Sequence, residues 1–309
     1  MNTIKGLIIV EESLKFTSEE IDVAIDKLEI EFISNIIYSQ PSIFGYSNFP
    51  LKLDILKPKG DEKYPAVVFV PGGGFFSSNK DKYIQQRLAI AESGYVVASI
   101  EYRVAPRSVF PAPLEDVKSA IRFLRANSEK YNIDKNKIAV MGNSAGGYLA
   151  AFTGVTNEVK KFDKGDNLNE SSSVQAAIDI YGLSDLKQID SGYPEEIKKL
   201  HESEGSPEAL WVNGPSLNGD HNNDGRKKFS EANPINYIDK AIPPFLLMHG
   251  DEDKLVSPDQ TKILHEALIK AGANSTRYVV RNAEHGGIYW AQPKVNKIII
   301  EFLNGALKK

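Results

Sequence analysis

The feature that most constrains the fold is a repeated alternation along the chain. Short apolar runs rich in β-branched residues, at 65–70, 95–100, 137–141, 174–181, 244–248 and 277–280, are separated by stretches with helical periodicity. Runs that are apolar at almost every position suit strands buried on both faces. Between them, residues 113–124 place Leu114, Val117, Ile121 and Leu124 on one stripe, with Pro113 suited to a first helical turn. Residues 257–269 read as a helix opened by Ser257-Pro258-Asp259-Gln260 and closed before Gly272. Strand–helix alternation of this kind predicts an α/β fold, a mostly parallel central sheet with helices on both faces. In such sheets reactive groups collect at the carboxyl ends of the strands.

At 309 residues, one catalytic domain with insertions is expected rather than two equal halves. Two regions break the rhythm. Residues 1–45 hold a helical-looking segment from Glu19 to Phe32 and a turn-rich loop, and are expected to form an N-terminal extension or cap over the site. The catalytic domain then runs over 46–309. Within it, residues 186–236 are polar, carry a Gly/Asn/Asp cluster from Gly214 to Gly225, and read as an insertion that could act as a lid.

Composition removes several function classes. The net charge is −4 and no basic block stands out, so nucleic-acid binding has no support. The longest apolar runs are far too short to span a bilayer. Leu7-Ile8-Ile9-Val10 is followed at once by Glu11 and Glu12, without a signal-peptide pattern, so a cytoplasmic chain is expected. With no cysteine, disulfides, thiolate nucleophiles and Cys-based metal sites are ruled out together. Asp220, Asn222, Asp224 and Glu231 fit the spacing of a calcium-binding loop, but Arg226, Lys227 and Lys228 crowd it with positive charge. An Asn/Asp/Gly turn explains the same letters, and no metal is expected.

The chemistry centres on Gly142-Asn143-Ser144-Ala145-Gly146. Gly-x-Ser-x-Gly alone is weak, because a serine in a Gly-rich turn can simply cap a helix. Here a strand-like run leads in and an apolar helical segment leads out. That is the context of a sharp strand-to-helix turn that exposes a nucleophilic Oγ above the sheet. A serine needs a base, and the base needs an orienting carboxylate, in the chain order Ser, acid, His. Of the five histidines, His201 and His221 fall in the polar insertion, His265 lies inside a helix, and His249 precedes the acid candidates. His285 remains, on the glycine-flanked loop after residues 277–280. The acid should follow residues 244–248, where Asp251, Glu252 and Asp253 compete, with only a modest preference for Asp253 from spacing. Pro71-Gly72-Gly73-Gly74 follows a strand and can present backbone N–H groups to an oxyanion, and the N–H of Ala145 is a further candidate donor.

Taken together, these motifs resemble the hormone-sensitive-lipase-like and acetyl xylan (feruloyl) esterase-like branch of the α/β-hydrolases. The resemblance runs from about Leu51 to Leu303. It rests on residues 70–75, Glu101-Tyr102-Arg103-Val104-Ala105-Pro106, Phe110-Pro111-Ala112, the Ser144 motif and His249-Gly250-Asp251-Glu252-Asp253. It implies Asp253 as the acid, His285 as the base, and Gly73 and Gly74 in the oxyanion hole. Pro71 stands where a His is usual and Glu101 where an Asp is common, which disfavours long-chain lipase activity.

The expected activity is two-step hydrolysis of short-chain acyl esters without a cofactor. Acetyl or feruloyl groups on plant-derived carbohydrate are candidate substrates, with Phe75, Phe76, Tyr148, Tyr289 and Trp290 as candidate pocket residues. The rivals are an amidase or peptidase, such as a formamidase, using the same three residues, and a non-catalytic binding protein on the same fold.

Overall fold

The apolar runs at 65–70, 95–100, 137–141, 174–181 and 244–248 become interior strands of one eight-stranded sheet, whereas the run at 277–280, expected to be buried on both faces, lies in an edge strand with Tyr278 and Val279 exposed. The computed structural model describes residues 18–201, 203, 205–215, 229–239 and 242–308. The strands are β1 (Ile30–Ser39), β2 (Leu51–Pro58), β3 (Tyr64–Val70), β4 (Val96–Ile100), β5 (Ile133–Asn143), β6 (Ala176–Ile180), β7 (Phe245–Gly250) and β8 (Ser275–Val280). Their order across the sheet is β1-β2-β4-β3-β5-β6-β7-β8. β2 pairs antiparallel with β1 and β4, and every pairing from β4 to β8 is parallel.

The continuous apolar character of the interior strands has a direct physical cause, since successive side chains serve two separate cores. Val68, Val70 and Val140 join the cluster under α2 (Ala112–Ala126), α3 (Ala145–Val155) and α6 (Asp259–Lys270). Val67, Phe69 and Met141 join the cluster under α1 (Ile84–Glu92) and α7 (Pro293–Leu307). The expected helices at 113–124 and 257–269 are α2 and α6, within a residue or two at each end. Pro113 lies in the first turn of α2, where its missing N–H costs nothing.

The N-terminal region differs from the expectation. Among residues 18–29 there is no helix, and Ile30–Ser39 is a strand of the sheet, so the helix predicted from Glu19 to Phe32 does not form. Isoleucine recurs through this segment at 30, 33, 36 and 37, and β-branched side chains favour a pleated surface that they can half bury. Ile33 and Ile36 reach the core across a bulge where Asn35 takes φ 58° and its N–H donates to Asp54 Oδ1 at 2.7 Å. The sheet therefore begins inside the supposed extension. The loop at 41–49 bends back on itself, with Ile43 and Tyr46 exchanging both backbone hydrogen bonds.

The 186–236 insertion lies between β6 and β7. Its described part includes the short helices α4 (Glu195–His201) and α5 (Pro207–Asn213). Trp211 of α5 is fully buried and stacks on Phe75 with ring centroids 4.4 Å apart, so α5 is anchored in the main core. No helix among the described residues is long and apolar enough to cross a membrane.

Candidate active site

Ser144 stands between the end of β5 and the first residue of α3, with φ 56° and ψ −125°. A non-glycine residue adopts such a conformation only when its surroundings enforce it. The enforcement is visible in the chain on either side. Ser144 N–H donates to Ile180 O at 2.9 Å, and Tyr148 N–H donates to Ser144 O at 2.9 Å. A Cβ on Gly142 would lie 2.1 Å from Gly146 O, and one on Gly146 would lie 2.0 Å from Val70 O. The turn can close this tightly only with glycine on both sides of the serine.

His285, on the loop after β8, meets this serine across the carboxyl end of the sheet. Ser144 Oγ lies 2.7 Å from His285 Nε2, and His285 Nδ1 lies 2.7 Å from Asp253 Oδ2. The carboxylate fixes the proton on Nδ1, which leaves Nε2 as acceptor for the serine hydroxyl. Of the three competing acids, Asp253 is the one that reaches the histidine. Asp251 instead accepts the Asn282 N–H at 2.6 Å, bracing the loop that carries His285.

Asp253 is unusually well satisfied. Its Oδ1 accepts the N–H groups of Leu255 and Val256, both at 2.9 Å, while Oδ2 faces His285 and also His249 Nε2 at 3.1 Å. Burial alone would push this carboxyl up. The hydrogen bonds from His249 and His285, the charge of His285 and the Val256 N–H outweigh it and hold Asp253 well below its usual range.

His249 is buried at the end of β7. Its Nε2 faces two acceptors, Asp253 Oδ2 and Val256 O at 2.9 Å, so it carries the proton there, while Nδ1 faces the Thr261 hydroxyl at 3.1 Å. Burial lowers the pKa of this imidazole and favours its neutral form. Chain order had excluded His249 as the base. Its place in the strand-end motif four residues before Asp253 was the available sign of a supporting role.

The remaining predicted positions divide. Gly73 and Gly74 lie on the loop after β3 and Ala145 opens α3, all at the same end of the sheet as Ser144. Gly72 borders Ser144, since a Cβ there would stand 3.0 Å from Ser144 Cβ. Phe75 and Tyr148 are core side chains rather than exposed pocket walls. With Trp211 they form one aromatic cluster, and the Tyr148 hydroxyl donates to Ala232 O at 2.6 Å. Aromatic bulk beside a glycine loop is buried here because α5 covers it. Trp290 is also buried, with its ring centroid 4.6 Å from that of Tyr181, which in turn lies 4.8 Å from that of His285. Phe76 and Tyr289 are partly exposed.

Asp220, Asn222 and Asp224 of the calcium-loop pattern, and His221, lie outside the described residues, whereas Glu231 is described and exposed. Among the described residues no group of three or more His, Asp or Glu is placed to hold a metal ion. His201 pairs with Glu208 and His265 with Ser275, both away from Ser144.

Sheet order, the strained serine between β5 and α3, and the acid and histidine after β7 and β8 define an α/β-hydrolase. Residues 53–268 match the BD-FAE family, and the chain belongs to it; this is a family of α/β-hydrolase esterases. Esterase LipC of Mycobacterium tuberculosis is 32% identical over 225 residues, which cover 72% of this chain and 53% of that protein. The chain spans about half the length of the curated relatives it matches first. Among solved structures, a truncated carbohydrate esterase from gut microbiota superposes with TM-score 0.79 at 28% identity, over 93% of this chain and 99% of that one. A thermophilic esterase of Thermogutta terrifontis, solved with propionate bound, superposes with TM-score 0.67 at 25% identity, over 90% and 94%.

Proposed function

We propose that this chain is a serine carboxylesterase for short acyl esters, with Ser144 as nucleophile, His285 as base and Asp253 as the orienting acid. The observation that carries the reading is the unbroken hydrogen-bond path from Ser144 Oγ through both nitrogens of His285 to Asp253, with both contacts at 2.7 Å. In the first step His285 Nε2 takes the serine proton as Oγ attacks the ester carbonyl. The imidazolium then passes that proton to the departing alkoxide, leaving an acyl-enzyme. In the second step His285 draws a proton from water, hydroxide attacks the acyl carbon, and the proton returns to Ser144 as the acid leaves. The N–H groups of Gly73, Gly74 and Ala145 are the assigned oxyanion donors. Losing one such donor typically costs about 10²–10³ in rate. These steps require only groups of the protein and water.

The substrate class is narrowed by similarity. The gut-microbiota relative is named as a carbohydrate esterase and the Thermogutta esterase holds propionate, which supports short acyl groups carried on carbohydrate. The test is hydrolysis of p-nitrophenyl esters of increasing chain length, alongside acetylated xylo-oligosaccharide, methyl ferulate and an acetyl anilide. Activity should be greatest on the acetyl and propionyl esters and absent in Ser144→Ala. Turnover retained by a folded Ser144→Ala variant would reject the assigned nucleophile, and faster cleavage of the anilide than of the matching ester would favour an amidase.

A further inference from the structure

A cleft of about 410 Å³ opens at the carboxyl ends of β3 and β4, outside the hydrogen-bonded array just described. One wall is the segment from Phe76 to Asn79 that directly continues the Gly73–Gly74 loop. A second is the segment from Glu101 to Ser108 after β4, and the third is Ile43 and Phe49 of the N-terminal loop. Its volume falls within the roughly 300–1,000 Å³ of small-molecule sites.

The cleft lies within substrate reach of the candidate nucleophile. Ser144 Cβ lies 3.0 Å from where a Cβ of Gly72 would be, and Ser77 Cβ lies 3.0 Å from where a Cβ of Gly73 would be. With adjacent Cα atoms 3.8 Å apart, the Ser77 wall stands no more than about 13 Å from Ser144. An acetyl or propionyl group is far too small to fill such a space. The space is instead of a size for the other half of an ester held at Ser144.

The walls specify the chemistry of that half. Phe76 is 43% exposed, and Phe49, half-buried, lines the cleft from the N-terminal loop. Between them lie groups with unused hydrogen-bonding capacity. The exposed Arg107 guanidinium pairs with no described residue, the Ser77 hydroxyl likewise, and Glu101 accepts one bond, from the Lys52 N–H at 3.2 Å. A hydrocarbon alcohol would cover these polar groups without pairing them, which is costly. A sugar ring offers both an apolar C–H face for the phenyl rings and a rim of hydroxyls that can accept from Arg107 and donate to Glu101.

Resting on the short-acyl esterase reading, we propose that this cleft is the leaving-group subsite, taking a neutral sugar, with Phe76 as stacking platform and Arg107 as hydrogen-bond donor. Phe76 and Arg107 are exposed, so truncating them leaves the fold intact. The experiment compares kcat/KM on acetylated xylo-oligosaccharide, p-nitrophenyl acetate and methyl ferulate for the wild type, Phe76→Ala, Arg107→Ala and Arg107→Lys. In Phe76→Ala and Arg107→Ala the ratio of the first substrate to the second should fall on the order of tenfold, the effect of about 1.4 kcal/mol of lost transition-state contact. Arg107→Lys should recover part of it. Xylobiose, added as a product-like inhibitor of p-nitrophenyl acetate hydrolysis, should bind more weakly to both truncated variants.

An unchanged ratio, or a parallel loss on both acetyl substrates, would overturn the subsite while leaving the esterase reading standing. A selective loss on methyl ferulate would overturn it in favour of an acyl pocket. A wild type that cleaves p-nitrophenyl acetate but not the acetylated oligosaccharide would reject carbohydrate as the substrate class, and the sugar subsite with it.

Discussion

His249 and Asp253 are joined through the same carboxylate oxygen that meets the candidate base. Asp253 Oδ2 lies 3.1 Å from His249 Nε2 and 2.7 Å from His285 Nδ1. The acid is thus held by donors on every side, two backbone N–H groups on Oδ1 and two imidazoles on Oδ2. An ionised carboxylate with this many donors keeps its charge and its orientation through the reaction.

His249→Leu removes the second imidazole donor while leaving His285 in place. The expected result is a fall in kcat of roughly 10–100-fold with little change in KM, because the carboxylate can then rotate away from His285. His249→Asn, which keeps an N–H donor, should recover part of the loss. A variant that lost stability but kept the wild-type kcat while folded would assign His249 a purely structural role.

Asp179 on β6 makes a separate prediction. It is fully buried, its Oδ1 accepts the Gly182 N–H at 2.8 Å, and its Oδ2 meets no donor among the described residues. Burial pushes its pKa from 3.8 up to about 8, against the lowering effect of the Gly182 bond. The folded chain therefore holds a proton that the unfolded chain has released across this window. Stability is at its fullest below about pH 4 as far as this group is concerned, and falls as pH rises toward 8. Asp179→Asn cannot ionise, so its stability relative to wild type should climb between pH 5 and pH 8 by an amount on the order of a few kcal/mol. Urea denaturation at several pH values measures this, and a difference constant with pH would show that Asp179 does not titrate there.

The parts legible in the sequence were those governed by local pattern. Strands buried on both faces wrote themselves as unbroken apolar runs, and the glycines around Ser144 marked a turn too tight for side chains. Sequence order narrowed the acid to three neighbours, but only the fold distinguishes Asp253, which reaches His285, from Asp251, which holds Asn282. β1 was missed because its first three residues were read as the end of a helix and the rest as a turn-rich loop, and the bulge at Asn35 that restores its register depends on Asp54 of the neighbouring strand. Phe75 and Tyr148 looked available because nothing local reveals that Trp211, far along the chain, covers them.

Trp211→Ala tests that covering. Removing a buried indole typically costs about 3–5 kcal/mol, through lost burial and the cavity left behind. The cavity here would open beneath Phe75, immediately after the glycine loop, and beside Tyr148 on the helix that follows Ser144. A large drop in melting temperature should therefore come with a fall in kcat at temperatures where the variant remains folded. Loss of stability with unchanged kcat would mean that the cluster supports the fold without positioning the site.

Two glycine substitutions separate close approach from helix propensity. A Cβ on Gly146 would lie 2.0 Å from Val70 O, a backbone atom that can move only by parting β3 from α3. Gly146→Ala should thus displace Ser144 relative to His285. A misplacement of about 1 Å can cost on the order of 100-fold in rate. Gly305, inside α7, has nothing within 4 Å of its own Cβ position, so Gly305→Ala should stabilise the chain by about 0.5–1 kcal/mol and leave hydrolysis unchanged. Thermal melting should rise for Gly305→Ala with p-nitrophenyl acetate turnover unchanged, whereas turnover should fall for Gly146→Ala. Full activity in Gly146→Ala would show that the serine can hold its position without the tight packing of β3 against α3.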